Sequence, residues 1–483
     1  MIPPSLALLS FPLFAIILFA NQGLVRGTIY TTLVGYLLLP TTVIDLQGLP
    51  GINKDLIIGI SLWIGFLAAP DREQDVPKTE AIWVTRMLWT CVALFAIGAV
   101  ATVLNNNTGI MNGGAARPAL GPRDVLAHMT PALSIVPILW AARRRFLTPE
   151  AHRQLCIAIV VCATAYSVLA LVEVRLSPQI NRWVYGYFPH SWVQHFRGGG
   201  WRPIIFLDHG LSLGFFFSTA VLCCAALVRS AGGSKSGLWG FLLIYLLGVL
   251  VISKNIGALG ITLLFLPLVL GVTQRMQLRA ASAVAVAFLL YPAIRSMGLL
   301  PYDWILSQFR AFSPQRYQSF LTRFVNEDRM LDRALEKPLT GWGRWSRARV
   351  FDAQGNDITI ADGLWVIRLG VDGLMGFISM FGPMALAIFA LARLAKTTTL
   401  SPTTTVFAVV LSGNLIYLVP NSTLSPIAWL MTGGILGLVE FGQRASDNTT
   451  PTIDPRGRGR SRGKPTYSRF APGESGGALR REL

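Results

Sequence analysis

Charge is what this sequence has least of. Only 14% of its 483 residues are Asp, Glu, Lys or Arg, against roughly 25% in an average soluble domain. Acids are scarcest: 24 Asp and Glu stand against 42 Lys and Arg, a net charge of +18. Cysteine is sparse too. Cys91, Cys156, Cys162, Cys223 and Cys224 all sit inside apolar runs. That placement excludes a disulfide framework or a zinc ribbon in a polar loop and reads as small buried hydrophobes. A metal site from Asp208, His209 and Asp362 has no supporting ligand spacing, and no cofactor is expected. No internal repeat is visible.

What fills the sequence instead is long apolar stretches, such as "SLALLSFPLFAIILFA" and "LCIAIVVCATAYSVLALV". About 18–20 nearly uncharged residues suffice to cross a bilayer. About thirteen such runs begin near residues 4, 27, 55, 81, 124, 154, 205, 237, 256, 279, 363, 403 and 424. The expected fold is an all-α polytopic membrane protein of about 11–13 transmembrane helices, with residues 1–443 as one membrane domain. The first run lacks a basic leader and "FANQG" is a poor cleavage site, so it reads as a span rather than a signal peptide.

In such a chain the positive charge first suggests orientation, not nucleic acid. "ARRRFLTPEAHR" (142–153), "RSAGGSK" (229–235), "RMQLR" (275–279) and "RLAK" (393–396) all fall on one side, assigned to the cytoplasm. The N-terminus and the loops 105–122, 177–204 and 297–361 then lie outside. Residues 444–483, with "PRGRGRSRGKP" at their centre, cannot bury enough apolar surface to fold and read as a disordered cytoplasmic tail. Binding of RNA or anionic lipid is the other use of such an Arg/Gly run; a solvated, orienting tail is the plainer one.

Orientation does not account for the outer loops. Residues 297–361 carry nine basic residues (Arg310, Arg316, Arg323, Arg329, Arg333, Lys337, Arg344, Arg347, Arg349) and seven acids. "EDRMLDRALEKPL" places Met330, Leu331, Ala334 and Leu335 at helical spacing, Pro338 ends that helix, "GWG" turns, and "RVFDAQGNDITI" reads as strand, Gly turn, strand. The loop is expected to form a small cap. A second loop, "NRWVYGYFPHSWVQHFRGGGWRP" (181–203), sets Arg182, Arg197 and Arg202 among aromatics. Arginine over lysine suits a multi-oxygen anion such as diphosphate; salt bridges within the cap are the alternative use. A polyprenyl-diphosphate-linked glycan needs both a greasy groove and a basic mouth.

"DRALEKPLTGWGRW" followed by "DGLWVIRLGVDGLMGF" resembles the O-antigen ligase / O-antigen polymerase family of bacterial membrane glycosyltransferases. Pro338, Leu339, Gly341 and Gly343 match its Pro-Leu-x-Gly-x-Gly turn, and Gly373 and Gly376 match its Gly-x-x-Gly step. Arg202 in "RPIIFLDHGLSLGFF" matches the family's Arg segment, "SKNIGALG" resembles its Ser-Arg-Gly-Ala segment, and Arg323 falls where an Arg precedes the loop helix. The family's His falls on Asp362, its Asn on Gly363, and the third segment's Arg on Ile256, with Lys254 near; the chain resembles a variant branch with Asp in place of His. The resemblance implies a GT-C-like fold in the bacterial inner membrane. It also implies metal-independent, inverting transfer of a glycan from a polyprenyl diphosphate to a lipid or saccharide acceptor on the periplasmic face.

On that reading Asp362 is the candidate base, Arg202 the first diphosphate ligand and His209 an alternative base. Arg323, Arg329, Arg344, Arg347 and Lys254 are candidate substrate cations, and Trp342 and Trp345 candidate sugar platforms. His190 and His195 could touch sugar. Arg368 and Asp372, four apart within a span, read as a salt bridge inside one helix. A polymerase of the same family is the alternative within the enzyme class. A lipid-linked glycan transporter or a non-catalytic assembly protein is the alternative outside it.

Overall fold

The computed structural model describes residues 1–45, 51–68, 81–197, 199–231, 234–312 and 314–447. These form sixteen helices and two small hairpins. The first helices are α1 (Pro4–Leu38), α2 (Lys54–Ala68), α3 (Ile82–Leu104), α4 (Pro122–Arg145), α5 (Pro149–Leu176) and the short α6 (Ile180–Tyr185). Then come α7 (Gly210–Ser230), α8 (Ser234–Ile252), α9 (Ile256–Gly271) and α10 (Gln274–Ser296). The long loop holds α11 (Tyr302–Phe312), α12 (Pro314–Leu335) and α13 (Trp345–Ala348). The chain closes with α14 (Leu364–Leu394), α15 (Pro402–Tyr417) and α16 (Pro426–Asp447).

Seven of these helices, α1, α3, α4, α5, α7, α10 and α14, are long and apolar enough to cross a membrane. Four shorter apolar helices accompany them. The chain is a multi-pass, all-α membrane protein. Leu6, Leu9 and Leu13 on α1 and Phe241 and Ile244 on α8 face outward, as a lipid-facing surface must. The expected basic tail falls on residues outside the described set, apart from the end of α16, which runs to Asp447.

The two runs expected near residues 4 and 27 both lie in α1, which is folded into two arms. Gly23, at φ 70° and ψ −178°, turns the chain sharply. A Cβ on Gly27 would meet Phe19 at 2.9 Å and one on Gly35 would meet Phe11 at 3.1 Å. Residues equally far from Gly23 therefore face each other, and the arms are antiparallel. Both arm ends reach the same neighbourhood: Ile2 donates its N–H to Val184, and the Tyr185 hydroxyl donates to the Leu38 carbonyl.

The bundle has two distinct ends. At one, Arg143 pairs with Glu440 (2.5 Å), Arg229 donates to the Val269 and Val272 carbonyls, and Arg275 donates to Ala395. This is the tail end, and its girdle is basic. The loops 105–122, 177–204 and 297–361 meet at the other end, the loop end. There β1 (Ile110–Asn112) and β2 (Ala115–Arg117) form an antiparallel hairpin that the Asn/Gly-rich composition had concealed. The hairpin packs on the tip of the long loop: Gly114 N–H bonds to the Asp352 carbonyl and Arg117 covers the Phe351 ring at 4.0 Å. The strand pair expected over 349–360 shrinks to a single bridge, Phe351 with Asp357, because Asp352 accepts from the Gln354 and Asn356 N–H groups and tightens the turn.

The most consequential element is a repaired helix break. α14 is interrupted at Gly373, whose φ of 65° and ψ of −165° leave backbone groups on both sides without helical partners. The "PLTGWG" turn supplies those partners. Leu374 and Met375 donate to the Pro338 and Leu339 carbonyls, while Trp342 and Gly343 donate to the Gly370 and Val371 carbonyls. Approach is so close that a Cβ on Gly373 would lie 2.4 Å from the Leu339 backbone, and one on Gly341 2.5 Å from the Val371 oxygen. The turn and the Gly-x-x-Gly step are two halves of one joint.

Candidate functional site

α12 is amphipathic, and one face carries Phe320, Arg323, Phe324, Glu327 and Met330, at helical spacing. Laid across the loop end, that face closes a cavity of about 570 Å³ over α9, α10, α14 and α15. The deeper walls are apolar, with Ile261, Val284, Phe288, Val366 and Ile416 among them. The polar groups gather on the loop side: Arg323, Glu327, Asp362, Tyr417 and Asn421. A largely apolar pocket with a few convergent polar groups is the form expected of a ligand site.

Arg323 and Asp362 form an ion pair at 3.2 Å, each a little over a third exposed. Asp362 does not cap α14; Gly363 holds that position, and the Leu364 N–H reaches the Leu418 and Asn421 carbonyls instead. Glu327 was not among the residues singled out from the sequence. Its carboxylate is 12% exposed, accepts from Trp365 Nε1 at 2.6 Å and from the Tyr291 hydroxyl at 3.4 Å, and lies 3.4 Å from Arg295. Burial outweighs Arg295 and the two hydrogen bonds and pushes its pKa up to about 7. The signal was readable: a Glu four residues after Arg323, on the apolar stripe of the helix rather than its solvent side.

A second group of expected residues collects beside the cavity. Arg202 is buried and donates to the Lys254 carbonyl at 3.2 Å. Asn255 caps α9 and bonds to the hydroxyl of Tyr417, which lines the cavity. The segment carrying Arg202 is pinned from below, where buried Glu173 accepts from the Ile204 and Ile205 N–H groups. Ile205 and Lys254 both have φ of 57°, a conformation that is an outlier for a β-branched residue; such strain clusters at functional sites. Arg202 and the amino end of α7 place positive charge at this spot, with the Asp208 carboxylate opposing it.

His209 caps α7, its Nδ1 accepting from Leu211. Its ring meets those of His190 and His195, and the three offer nitrogens within 4.8 Å of one another. Burial, then the two neighbouring imidazoles and Arg202, hold its pKa down to about 3, which makes it a weak base. His190 Nδ1 also accepts a backbone N–H, from Ser191. A neutral imidazole accepting at Nδ1 carries its proton on Nε2. These two rings therefore present N–H rather than a lone pair at Nε2, a poor arrangement for a metal.

The remaining expected residues are drawn into the cap. Arg347 is fully buried and donates to the Thr108 and Pro118 carbonyls and to Asn106 Oδ1. Arg344 pairs with Asp124 at 2.7 Å, and Arg329 donates to the Ile358 carbonyl. Trp342 is buried, its indole donating to the Arg333 carbonyl while the Arg333 guanidinium lies 3.5 Å above the ring. Burial and the nearby Arg347 and Arg333 hold Lys337 below the usual lysine range. Trp345 opens α13, and its side chain lies outside the described set. Arg368 and Asp372 do form the expected pair within α14, at 3.1 Å, with His128 2.9 Å away on the other oxygen.

No family model, curated protein or solved structure matches the chain.

Proposed function

We propose that the protein is a membrane glycosyltransferase that moves a glycan from a polyprenyl-diphosphate carrier to an acceptor hydroxyl. The observation carrying this reading is the 570 Å³ cavity, apolar in depth and edged by Arg323, Asp362 and Glu327. A prenyl chain suits the apolar walls. The diphosphate meets Arg323, which exchanges Asp362 for a bidentate grip on phosphate oxygens. The acceptor oxygen attacks the anomeric carbon, its proton passes to the Glu327 carboxylate, and the bond from that carbon to the diphosphate oxygen breaks. Charge developing on the leaving diphosphate is met by Arg323, with Arg202 and Lys254 adding positive potential from beside the cavity. A carboxylate with a pKa near 7 is matched to proton transfer at neutral pH.

The basic girdle at the tail end supports a cytoplasmic tail end and a loop end on the periplasmic side of a bacterial inner membrane. The break in α14 argues against a transporter. In transporters broken helices offer free backbone groups to a midplane site; here those groups are taken up by the "PLTGWG" turn.

The test is a mass-spectrometric profile of lipid-linked glycans in a strain lacking the gene, complemented with wild type, Glu327→Gln or Asp362→Asn. Full-length donor should accumulate on deletion and be cleared by wild type but not by Glu327→Gln. Accumulation of single repeat units would make the enzyme a polymerase. An unchanged lipid-linked pool would overturn the transferase reading.

A further inference from the structure

Beside the large cavity lies a second, smaller one of about 190 Å³, lined by Tyr36, Asn53, Lys54, Asp55, Asp208 and Thr423. Two of its wall atoms are anomalous. Lys54 is 7% exposed and its Nζ, though buried, has no hydrogen-bond partner among the described residues; neither has the buried Thr423 hydroxyl. Buried polar atoms are almost always satisfied, and an unsatisfied ammonium is costly to keep. The Tyr36 ring, 5.3 Å from Nζ, softens that cost only in part. Two orphaned atoms in the wall of one pocket point to a ligand that completes them.

We infer that this pocket is a saccharide subsite, completed by the hydroxyls of one sugar residue. Asp55 and Asp208 outnumber Lys54 in the wall, so phosphate and other anions are repelled. An uncharged ring of hydroxyls fits every group present: the carboxylates accept, the ammonium donates, and the Thr423 hydroxyl does either. The volume would hold about six waters at roughly 30 Å³ each, the scale of a single sugar ring. An adjoining cavity of about 350 Å³ shares Asn53, Asp55 and Leu424 and continues past Thr130, Ser134 and Ser422, so a chain of sugars has somewhere to run.

The pocket's position gives it a role. Phe215 lines it, Tyr417 lines the large cavity, and the two rings are stacked at 4.8 Å as a common partition. The connector between α15 and α16 does the same, turning Asn421 to the large cavity and Thr423 to the small one. In calling the bound saccharide the acceptor, the inference rests on the transferase reading; that the pocket binds a saccharide does not.

The test is saturation-transfer-difference NMR on the full-length protein in detergent micelles. The probes are methyl glycosides of glucose, galactose, mannose and N-acetylglucosamine, with inorganic phosphate as the anionic comparison. At least one neutral glycoside should bind, and Thr423→Val and Lys54→Met should each weaken it tenfold or more. Thr423→Val leaves the charge balance intact and keeps the test decisive should Lys54→Met fail to fold. Absence of binding by every glycoside, binding that survives Thr423→Val, or Lys54-dependent binding of phosphate would overturn the subsite. Saccharide binding in a protein whose deletion leaves lipid-linked glycans unchanged would sink the transferase reading and keep the subsite. Transfer without any saccharide binding would do the reverse.

Discussion

Gly23 and Gly373 share nearly the same backbone, φ 70° and ψ −178° against φ 65° and ψ −165°, yet alanine should act on them very differently. Both substitutions force a Cβ into a region essentially reserved for glycine, a strain of about 1–3 kcal/mol. At Gly23 the strain is all there is, since a Cβ there meets nothing within 4 Å. At Gly373 the Cβ lands 2.4 Å from the Leu339 backbone. That backbone cannot retreat without releasing the bonds from Leu374, Met375, Trp342 and Gly343, at about 1 kcal/mol each. Gly23→Ala should therefore cost about 1–3 kcal/mol and Gly373→Ala about 5–7 kcal/mol, the latter close to the whole stability of many domains. Thermal unfolding of the detergent-purified variants reads the difference. Limited proteolysis locates it, with the 336–361 segment becoming cleavable only in Gly373→Ala. Equal losses in the two variants, or an intact loop in Gly373→Ala, would refute the interlock.

Glu327→Gln should lower transfer by about 10²–10⁴-fold and abolish the rise in rate with pH through about 7 that an ionising base produces. The same raised pKa has a stability sign. Above its unfolded-state pKa of roughly 4.3 and up to about 7, the native state holds a proton the unfolded chain has released, so stability falls as pH rises through that window. Denaturant titrations across it should show the slope in wild type and lose it in Glu327→Gln. Arg323→Gln should cut transfer sharply while the protein melts within about 1 kcal/mol of wild type, its pair with Asp362 being partly solvated; an active Arg323→Gln would remove it from the diphosphate site. Arg347→Met, which removes the hydrogen bonds to the Thr108 and Pro118 carbonyls and to Asn106 Oδ1, should destabilise the cap by about 3 kcal/mol or more, whereas Arg344→Ala, which takes one half-exposed bidentate partner from Asp124, should cost about 1–2 kcal/mol. Comparable melting losses in those two would contradict the division between a fully buried guanidinium and a half-exposed one.

The membrane architecture was legible in outline because hydropathy and length are one-dimensional properties: eight of the expected runs fall in the seven helices long and apolar enough to cross a membrane, and those near 237, 256, 403 and 424 in the four shorter apolar helices. The joint at Gly373 was half legible. The "PLTGWG" turn and the Gly-x-x-Gly step stood out separately, but their docking joins residues some thirty positions apart, which no local pattern encodes. Arginine roles were the least legible. Arg323 and Arg347 look alike in sequence, yet one edges a cavity and the other is fully buried among carbonyls. Partner geometry decides between them, and composition cannot. Glu327 is hard to read from sequence because a charged residue on an amphipathic helix ordinarily faces water, whereas here it shares the cavity-lining face with Phe320 and Phe324.

The joint also constrains how this protein can change over generations. Since the span α14 is completed by residues 338–343 of its preceding loop, neither can be exchanged alone. A relative that borrowed a new outer loop without this turn would inherit a severed helix. Recombination and loop grafting should therefore respect the block from Pro338 to Met375, and any change at its tip, Asp352–Asn356, must carry along the β1–β2 hairpin that docks there through Gly114.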